Sequence, residues 1–227
     1  MELTPSLIMA AYARGIFPMA ESAESPDILW LEPRRRGIIP LRNTNAPDFG
    51  GTFGFHASRS LRRSLRRGGW RFSCDQAFAE VVAGCADRHE TWINAPIRRV
   101  FATLHRQGDA HSIEVWDNGG ALVGGLYGLA LGGAFFAESM FSRRRDASKL
   151  ALAELVARLE GAGFALLDTQ YLTPHLARMG GVEISRQTYH TTLAAALSLS
   201  ARHELAFSPR NPDAPSGGYW QPSTQTS

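Results

Sequence analysis

The stretch that decides the fold is residues 132–149, GGAFFAESMFSRRRDASK. It begins as an apolar run typical of a buried strand, carries one acid, Glu138, inside that run, and passes through the arginines at 143–145 into Asp146. A segment with helical spacing follows directly. Because the amides at the start of a helix point outward with partial positive charge, this order indicates a pocket floor beside an anion-binding turn. The stretch alone is equally compatible with an ordinary strand, turn and helix whose arginines are solvated.

Glycine-rich turns divide the chain around this stretch into strands and helices. Residues 111–141 predict a meander of three antiparallel strands, with turns at 117–120 and 132–133. A helix is predicted from Ala147 to about Glu160, followed by a buried strand over 164–168. A meander that leads into a helix and then a further strand predicts an α+β fold, in which helices pack on a central mixed sheet.

Changes in composition divide the chain into four regions. We expect a small N-terminal region, 1–41, docked on a main domain, 56–203. Between them lies an exposed loop, 42–55, rich in Asn, Gly and Pro. The C-terminal residues, 204–227, contain mostly Pro, Gly, Ser and Thr in their second half and predict a flexible tail.

Charge and cysteine content limit the class of protein. The formal net charge is +3, and all 24 basic residues except Lys149 are arginine, so the clustering of arginine is more informative than its number. The two cysteines, Cys74 and Cys85, are too few and too far apart for a disulfide framework or a metal site. The first residues lack the basic start of a signal peptide. We therefore expect a soluble cytoplasmic protein without a bound metal or cofactor.

One predicted helix has an unusual surface. Residues 56–69, HASRSLRRSLRRGG, fit a short helix capped by Ser58 and closed by glycines. Leu61 and Leu65 share one side, and no acid interrupts the arginines on the other. A solvated helix would usually intersperse glutamates for pairing, so this face predicts binding to a polyanion. The arginines concerned are Arg59, Arg62, Arg63, Arg66 and Arg67.

Several strings, taken together and in order, resemble one family. They are RGIFP at Arg14, WLEPR at Trp30, HASRSLRR at His56, TWI at Thr91, HSIEVW at His111, LVGGLYG at Leu122, FFAESMFSR at Phe135, ASK at Ala147 and LLDTQ at Leu166. This set resembles the leucyl/phenylalanyl-tRNA–protein transferases over residues 3–200, with compatible spacings. The set is highly specific, whereas each string alone is not.

The resemblance implies a fold and a function. The family consists of bacterial cytoplasmic enzymes that move Leu or Phe from aminoacyl-tRNA onto proteins beginning with Arg or Lys, which marks them for degradation by the N-end rule. Its fold is similar to that of the GNAT acyltransferases, preceded by a small N-terminal domain. The expected partners are aminoacyl-tRNA and the acceptor proteins, and we expect a monomer. The arginine helix would hold the acceptor stem of the tRNA.

The resemblance also implies site residues. Asp168 and Gln170 would be the catalytic pair, and Glu138 would lie at the edge of a pocket for the aminoacyl side chain. That pocket would be lined by Met19, Trp92, Leu126, Phe135, Leu152, Leu155, Leu159 and Leu167. A tryptophan is expected where this chain has Met19, which keeps volume and apolarity but removes a stacking surface.

One geometric condition follows from this assignment. Phe135 and Glu138 are three positions apart, so a regular strand would point them to opposite faces. For both to line one pocket, a β-bulge must intervene.

The reaction implied is aminolysis, in which an α-amine attacks the ester carbonyl of the aminoacyl-tRNA. An amide oxygen is a very weak base, so Gln170 is expected to orient the amine by accepting a hydrogen bond. Asp168 could orient Gln170, take the proton or stabilise the ammonium, and the sequence does not choose among these roles. Glu138, ahead of Glu114 and Asp168, is the candidate to recognise the cationic first residue of the acceptor. A structural ion pair with an arginine would explain Glu138 equally well.

Two other classes of protein remain open at this stage. A GNAT acyltransferase that uses acyl-CoA would place a Gly-rich pyrophosphate loop before its helix, whereas residues 142–146 here are SRRRD. A non-catalytic RNA-binding domain would explain the arginine helix but neither the apolar pocket set nor the DTQ string.

Overall fold

The computed structural model describes residues 3–42 and 54–209. The predicted loop, 42–55, therefore lies largely outside the described residues, as does the chain from 210 onward. The helices are α1 Pro5–Tyr12, α2 Arg59–Arg67, α3 Phe78–Ala86, α4 Ala95–Gln107, α5 Ala147–Ala162, α6 Pro174–Ala177, α7 Arg186–Leu197 and α8 His203–Phe207. The strands are β1 Phe17–Ala20, β2 Ile28–Leu31, β3 Arg35–Pro40, β4 Trp70–Cys74, β5 Ala110–Asp117, β6 Leu122–Leu131, β7 Ala134–Ser142, β8 Leu166–Gln170 and β9 Val182–Ser185.

Seven strands form one mixed sheet in the order β4-β5-β6-β7-β8-β3-β9. Neighbouring strands run antiparallel except β7 and β8, which are parallel because α5 connects them as a crossover. The predicted meander corresponds to β5, β6 and β7. The predicted α+β class, with a mixed sheet flanked by helices, is confirmed.

Helices cover both faces of this sheet, and each face has its own hydrophobic core. On one face α1, α3, α4 and α7 pack around residues such as Phe101 and Phe136. On the other face α5 lies along the sheet, flanked by α2, α6 and α8, around residues such as Leu155. The central strands are buried on both faces, which explains their nearly continuous apolar sequence.

The N-terminal region contributes to the main sheet. α1 and the β1–β2 hairpin precede β3, but β3 itself lies between β8 and β9. Residues 35–40 of the predicted region 1–41 therefore belong to the seven-stranded sheet, and a division after residue 34 would keep that sheet whole. The sequence RRRGIIP does not alternate in polarity, because Arg36, Ile38 and Ile39 are all fully buried.

The prediction of a flexible tail from residue 204 is wrong for residues 204–209. Residues 203–207 form α8, and the Phe207 ring stacks on the His111 ring with centroids 3.6 Å apart. Arg158 Nη1 donates to the carbonyl oxygens of Ala206 (2.9 Å) and Ser208 (3.0 Å). An aromatic anchor and a buried arginine thus hold this segment against the main domain.

Within the described parts of the chain, none of the helices combines the length and apolarity needed to cross a membrane. Cys74 and Cys85 are both buried, and neither forms a disulfide.

Candidate active site

A cavity of about 790 Å³ opens where β7 and β8 part. Their parallel pairing ends at Phe136 opposite Asp168, although β7 continues to Ser142 and β8 to Gln170. The diverging ends of both strands line the cavity, together with the N-terminal hairpin, the end of α3 and the region of α6. Because the gap passes through the sheet, the cavity receives side chains from both faces.

Each of the two diverging strands carries a bulge at this point. In β7, Gly128 faces Ala137 and Tyr127 faces Ser139, so Glu138 is the extra residue. In β8, Ile38 faces Asp168 and Gly37 faces Gln170, so Thr169 is the extra residue. A bulge twists its strand and re-aims the side chains around it, which accounts for the separation of the two strands here.

The bulge required by the sequence exists, but it does not bring Phe135 and Glu138 together. Ala137 pairs regularly with Gly128, so the alternation of side chains holds from 135 to 138. Phe135 is fully buried in the core beneath α5, whereas Glu138 turns to the α1 face, where Tyr12 Oη donates to its Oε1 at 2.7 Å. Glu138 lines the cavity and Phe135 does not, because the bulge lies at Glu138 itself.

The other predicted pocket residues divide in the same way. Met19, Trp92, Leu126 and Leu152 line the cavity. Leu155, Leu159 and Leu167 do not line it, because they lie deeper in the core beneath α5 and are fully buried. Leu152 reaches the cavity because it is one turn closer to the start of α5, next to the gap, while the following leucines are covered by the intact part of the sheet. The deeper residues support the floor of the cavity without facing it.

Asp168 lies behind the cavity wall and is fully buried. Its Oδ1 accepts from Arg36 Nε (2.9 Å) and from the backbone N–H of Gln170 (2.8 Å). Its Oδ2 accepts from Arg36 Nη2 (2.7 Å) and from the Tyr189 hydroxyl (2.6 Å). A carboxylate offers about four acceptor positions, so these donors saturate it. Of the roles that the sequence left open, this arrangement favours orientation of Gln170 over acceptance of a proton.

Gln170 ends β8 and does line the cavity. Its φ of 58° is in the left-handed region, which is unusual for a residue other than glycine and costs on the order of 1 kcal/mol. When its side-chain amide is oriented so that the nitrogen faces these acceptors, Nε2 donates across the gap to the Ala137 carbonyl (2.9 Å) and also to the Thr169 carbonyl (3.1 Å). The amide oxygen is then the group that Gln170 can offer to a donor in the cavity.

Burial raises the pKa of Glu138 to about 8, and the hydrogen bond from Tyr12 opposes part of this rise. Within residues 3–42 and 54–209 Glu138 forms no ion pair with an arginine, so that structural explanation does not hold there. Glu114, the second candidate for cation recognition, is fully buried and bonded by the hydroxyls of Ser73 and Ser112. It does not line the cavity, because β5 lies two strands away from the gap.

The arginine helix forms as predicted, and a second arginine segment faces it. The Ser58 hydroxyl accepts from the Leu61 amide, and Leu61 is buried while the arginines of α2 are exposed. A groove of about 420 Å³ lies between α2 and the turn that connects β7 to α5. Its arginines are Arg63 and Arg67 from α2 and Arg144 and Arg145 from the turn.

Three side-chain contacts organise this groove. The Arg144 guanidinium lies 5.0 Å from the centroid of the Trp70 ring and pairs with Asp117 at 3.2 Å. Asp146, which also lines the groove, is paired with Lys149. Arg143, at the other side of the same turn, lines the main cavity. Residues 143–146 therefore separate the arginine groove from the cavity, and a single ligand could cross this turn to occupy both.

Sequence reasoning missed several residues that shape the site, among them Tyr12, Arg36 and Asp87. Tyr12 fitted the apolar side of α1, and its hydroxyl bond to Glu138 has no local signal. Arg36, in a run of three arginines, had the pattern of a solvated residue but is 1% exposed. Asp87, at the end of α3, is an exposed acid in the cavity wall. Each depends on contacts between segments that are distant in the chain.

The chain is similar in sequence to curated proteins of one family. The curated leucyl/phenylalanyl-tRNA–protein transferase of Roseobacter denitrificans is 57% identical over 201 residues, which is 88% of this chain and 90% of that protein. That of Cereibacter sphaeroides is 53% identical over 96% of this chain and 91% of that protein. That of Ruegeria pomeroyi is 54% identical over 88% of this chain and 90% of that protein.

Among solved structures, the C-terminal domain DUF2156 of an Agrobacterium fabrum protein is 14% identical, with a TM-score of 0.39 over 92% of this chain and 63% of that one. Two family models also match: the leucyl/phenylalanyl-tRNA protein transferase N-terminal domain over residues 1–34, and the leucyl/phenylalanyl-tRNA protein transferase model over residues 52–194. The second match covers more than half of the chain, and the curated relatives exceed half identity over nearly their whole length. The chain therefore belongs to the leucyl/phenylalanyl-tRNA protein transferase family.

Proposed function

We propose that this chain moves Leu or Phe from aminoacyl-tRNA to the α-amine of proteins that begin with Arg or Lys, which marks them for degradation. By family the chain is an aminoacyltransferase. The observation that carries the proposal is that one turn, residues 143–146, separates an apolar cavity from an arginine-lined groove. An aminoacyl-tRNA end has the same two parts in the same order, an apolar side chain on an ester and a polyanion behind it.

The apolar wall of the cavity is suited to the transferred side chain. Met19, Trp92, Leu126 and Leu152 converge on it from the N-terminal hairpin, the loop before α4, the sheet and α5. A methionine side chain is unbranched and flexible, so Met19 can adjust its shape to either Leu or Phe. The proposal assigns these four side chains to the substrate and treats the deeper leucines as their support.

The arginine groove is suited to the tRNA. Guanidinium groups bind phosphate bidentately, and those of α2 and of the 143–146 turn approach from opposite sides. The acceptor stem would lie along Arg59, Arg62, Arg63, Arg66 and Arg67, and its terminal nucleotide would cross the turn beside Arg143 and Ser148, which line the cavity. Phosphate contacts of this kind position a nucleic acid without reading its sequence.

The reaction needs little machinery beyond positioning. The α-nitrogen of the acceptor forms a bond to the ester carbonyl carbon, and the bond from that carbon to the ribose oxygen breaks. The amine loses one proton, and the leaving ribose oxygen gains one to become a hydroxyl. Holding the two ends together in one cavity supplies effective molarity. The Gln170 oxygen accepts a hydrogen bond from the attacking amine and orients it, and Asp168 fixes Gln170.

Glu138 is proposed to face the cationic acceptor. With a pKa of about 8, raised by burial, its carboxyl is largely protonated at neutral pH when the cavity is empty. A cation that enters the cavity stabilises the ionised form and lowers this pKa. Recognition of the acceptor would therefore be coupled to release of a proton from Glu138.

Neither an acyl-CoA enzyme nor a non-catalytic RNA-binding domain explains both the apolar cavity and the arginine groove. An acyl-CoA enzyme needs backbone amides exposed by a Gly-rich loop at the start of α5, but in this chain the side chains of Arg143, Arg144 and Arg145 fill that turn. An RNA-binding domain without catalysis leaves the cavity and the strained Gln170 without a role. The proposal also takes aminoacyl-tRNA as the donor in the cytoplasm and the chain as a monomer, which light scattering would test.

One transfer assay discriminates among these functions. The chain is incubated with radiolabelled Phe-tRNA or Leu-tRNA and a peptide beginning with Arg, with the same peptide acetylated at its α-amine as the matched control. Label should move to the free peptide and not to the acetylated one. Absence of transfer, or transfer only after addition of an acyl-CoA, would exclude the proposed function.

A further inference from the structure

Arg36 is the largest fully buried side chain among the described residues, with 1% of its surface exposed. It lies in β3, between β8 and β9, and its side chain contacts both β8 and the N-terminal segment. Burying a guanidinium costs several kcal/mol unless its N–H groups are paired. The groups that bind this guanidinium therefore indicate which parts of the fold it fixes.

One side of the guanidinium holds β8. Nε donates to Oδ1 of Asp168 at 2.9 Å, and Nη2 donates to Oδ2 at 2.7 Å. Oδ1 of the same carboxylate accepts a hydrogen bond from the backbone N–H of Gln170 at 2.8 Å, and Gln170 is the residue whose φ is 58°. Since this left-handed conformation is unfavourable on its own, a fixed acceptor for the Gln170 amide is what maintains it.

The other side holds the N-terminal segment. Nη1 donates to the Gly15 carbonyl at 2.9 Å. The guanidinium carbon lies 4.6 Å from the centroid of the Phe17 ring and 4.4 Å from that of Tyr189, so aromatic rings cover the cation. Phe17 and Met19 are in the same strand, and both line the cavity.

We propose that Arg36 is a positioning residue for the transfer reaction: through Asp168 it fixes the orientation of Gln170 on one wall of the cavity, and through Gly15 and Phe17 it fixes the opposite wall. Arg36 does not line the cavity and so acts on the substrates only through these groups. The inference rests on the proposed function, because Gln170 orients the amine in that reaction.

The test is Arg36→Lys, which keeps the charge but removes the planar fork. We expect kcat for Phe transfer to fall at least about tenfold, while KM for aminoacyl-tRNA stays within about twofold because the arginine groove is untouched. The matched control is Arg158→Lys, since Arg158 is also buried, pairs with Glu154 at 2.7 Å and anchors α8 away from the cavity. A general effect of losing a buried guanidinium would lower both variants equally.

A second readout does not need activity. In ¹⁵N-labelled protein the side-chain NH₂ of Gln170, assigned with Gln170→Glu, should shift in Arg36→Lys and keep its position in Arg158→Lys. If Arg36→Lys does not fold, Tyr189→Phe decides, because it keeps the ring over Arg36 and removes one donor to Asp168. It should shift the same resonance and lower kcat about threefold or more.

Failure of the role of Arg36 and failure of the proposed function give different results. An unshifted Gln170 resonance in a folded Arg36→Lys or Tyr189→Phe variant, or a kcat within twofold of the Arg158→Lys value, would overturn the role of Arg36. A wild-type chain that transfers no label would contradict the proposed function instead, and the Gln170 resonance would still report whether Arg36 fixes that side chain.

Discussion

The protonation of Glu138 predicts an unusual dependence of stability on pH. Burial raises its pKa in the folded chain to about 8, from an ordinary value of 4.5. A carboxyl group with a raised pKa contributes stability that is complete below its unfolded pKa and is lost as the pH rises through its folded pKa. The contribution of Glu138 should therefore fall between about pH 4.5 and pH 8.

Glu138→Gln isolates this contribution, because glutamine has the same shape, cannot ionise and can still accept the Tyr12 hydrogen bond. One pKa unit corresponds to about 1.4 kcal/mol. Integrated from pH 5 to pH 8, the shift from 4.5 to about 8 makes the wild type lose about 3.5 kcal/mol relative to the variant. The stability of the variant relative to the wild type should consequently rise by about this amount from pH 5 to pH 8.

The measurement is urea unfolding of both proteins at pH 5, 6, 7 and 8, followed by tryptophan fluorescence. The quantity of interest is the difference between their unfolding free energies at each pH, which removes effects common to both. Glu80→Gln, an exposed change in the first turn of α3, is the control and should show a constant difference. A constant difference for Glu138→Gln as well would refute the assignment of a buried, protonated carboxyl to this position.

Three further predictions concern the site. Tyr12→Phe removes a hydrogen bond that lowers the pKa of Glu138, so the midpoint of any titration of that carboxyl, followed by NMR, should move up by about one unit. Gly37→Ala places a Cβ 2.6 Å from the Leu172 nitrogen and the Tyr171 carbonyl carbon, so the unfolding free energy should drop by at least about 2 kcal/mol and kcat should fall. In the control Gly119→Ala, the new Cβ meets only the Asp117 side chain at 3.3 Å, and neither quantity should change. Replacing four arginines of α2 by alanine should weaken tRNA binding and reduce the slope of log K against log salt concentration by up to about 0.7–0.9 per lost phosphate contact; the positions are Arg62, Arg63, Arg66 and Arg67. Replacing three arginines of α4 by alanine is the control and should have neither effect; the positions are Arg98, Arg99 and Arg106.

Local patterns predicted the elements with strong periodicity and clear turn residues. The β5–β7 meander, α5 and the arginine helix with its Ser58 cap all followed from such signals. β3 did not, because a strand buried on both faces that includes Arg36 shows no alternation, and its arginine resembles a solvated one. The short β9 and α8 carry little signal of their own and are held by partners elsewhere in the chain.

The candidate site was predictable in composition but not in geometry. Glu138, Gln170 and four of the apolar residues that line the cavity were named through the family resemblance, whereas Phe17, Met140 and Phe141, which also line it, were not. Helical spacing could not separate Leu152 from Leu155, because both lie on the same face of α5 and only the position of the gap distinguishes them. The position of a bulge depends on pairing with the neighbouring strand, so one strand's sequence does not reveal it.

The gap between β7 and β8 explains why an acid and a glutamine can serve one cavity from different strands. Parallel pairing ends at Asp168, and the Gln170 side chain then donates to the Ala137 carbonyl across the gap. In that orientation the bond fixes the direction of the Gln170 side-chain amide. Asp168, at the last paired position of β8, forms a buried ion pair with Arg36 at 2.7 Å and accepts the backbone N–H of Gln170. The same contacts that stabilise the open sheet thus prepare the group that would orient the substrate.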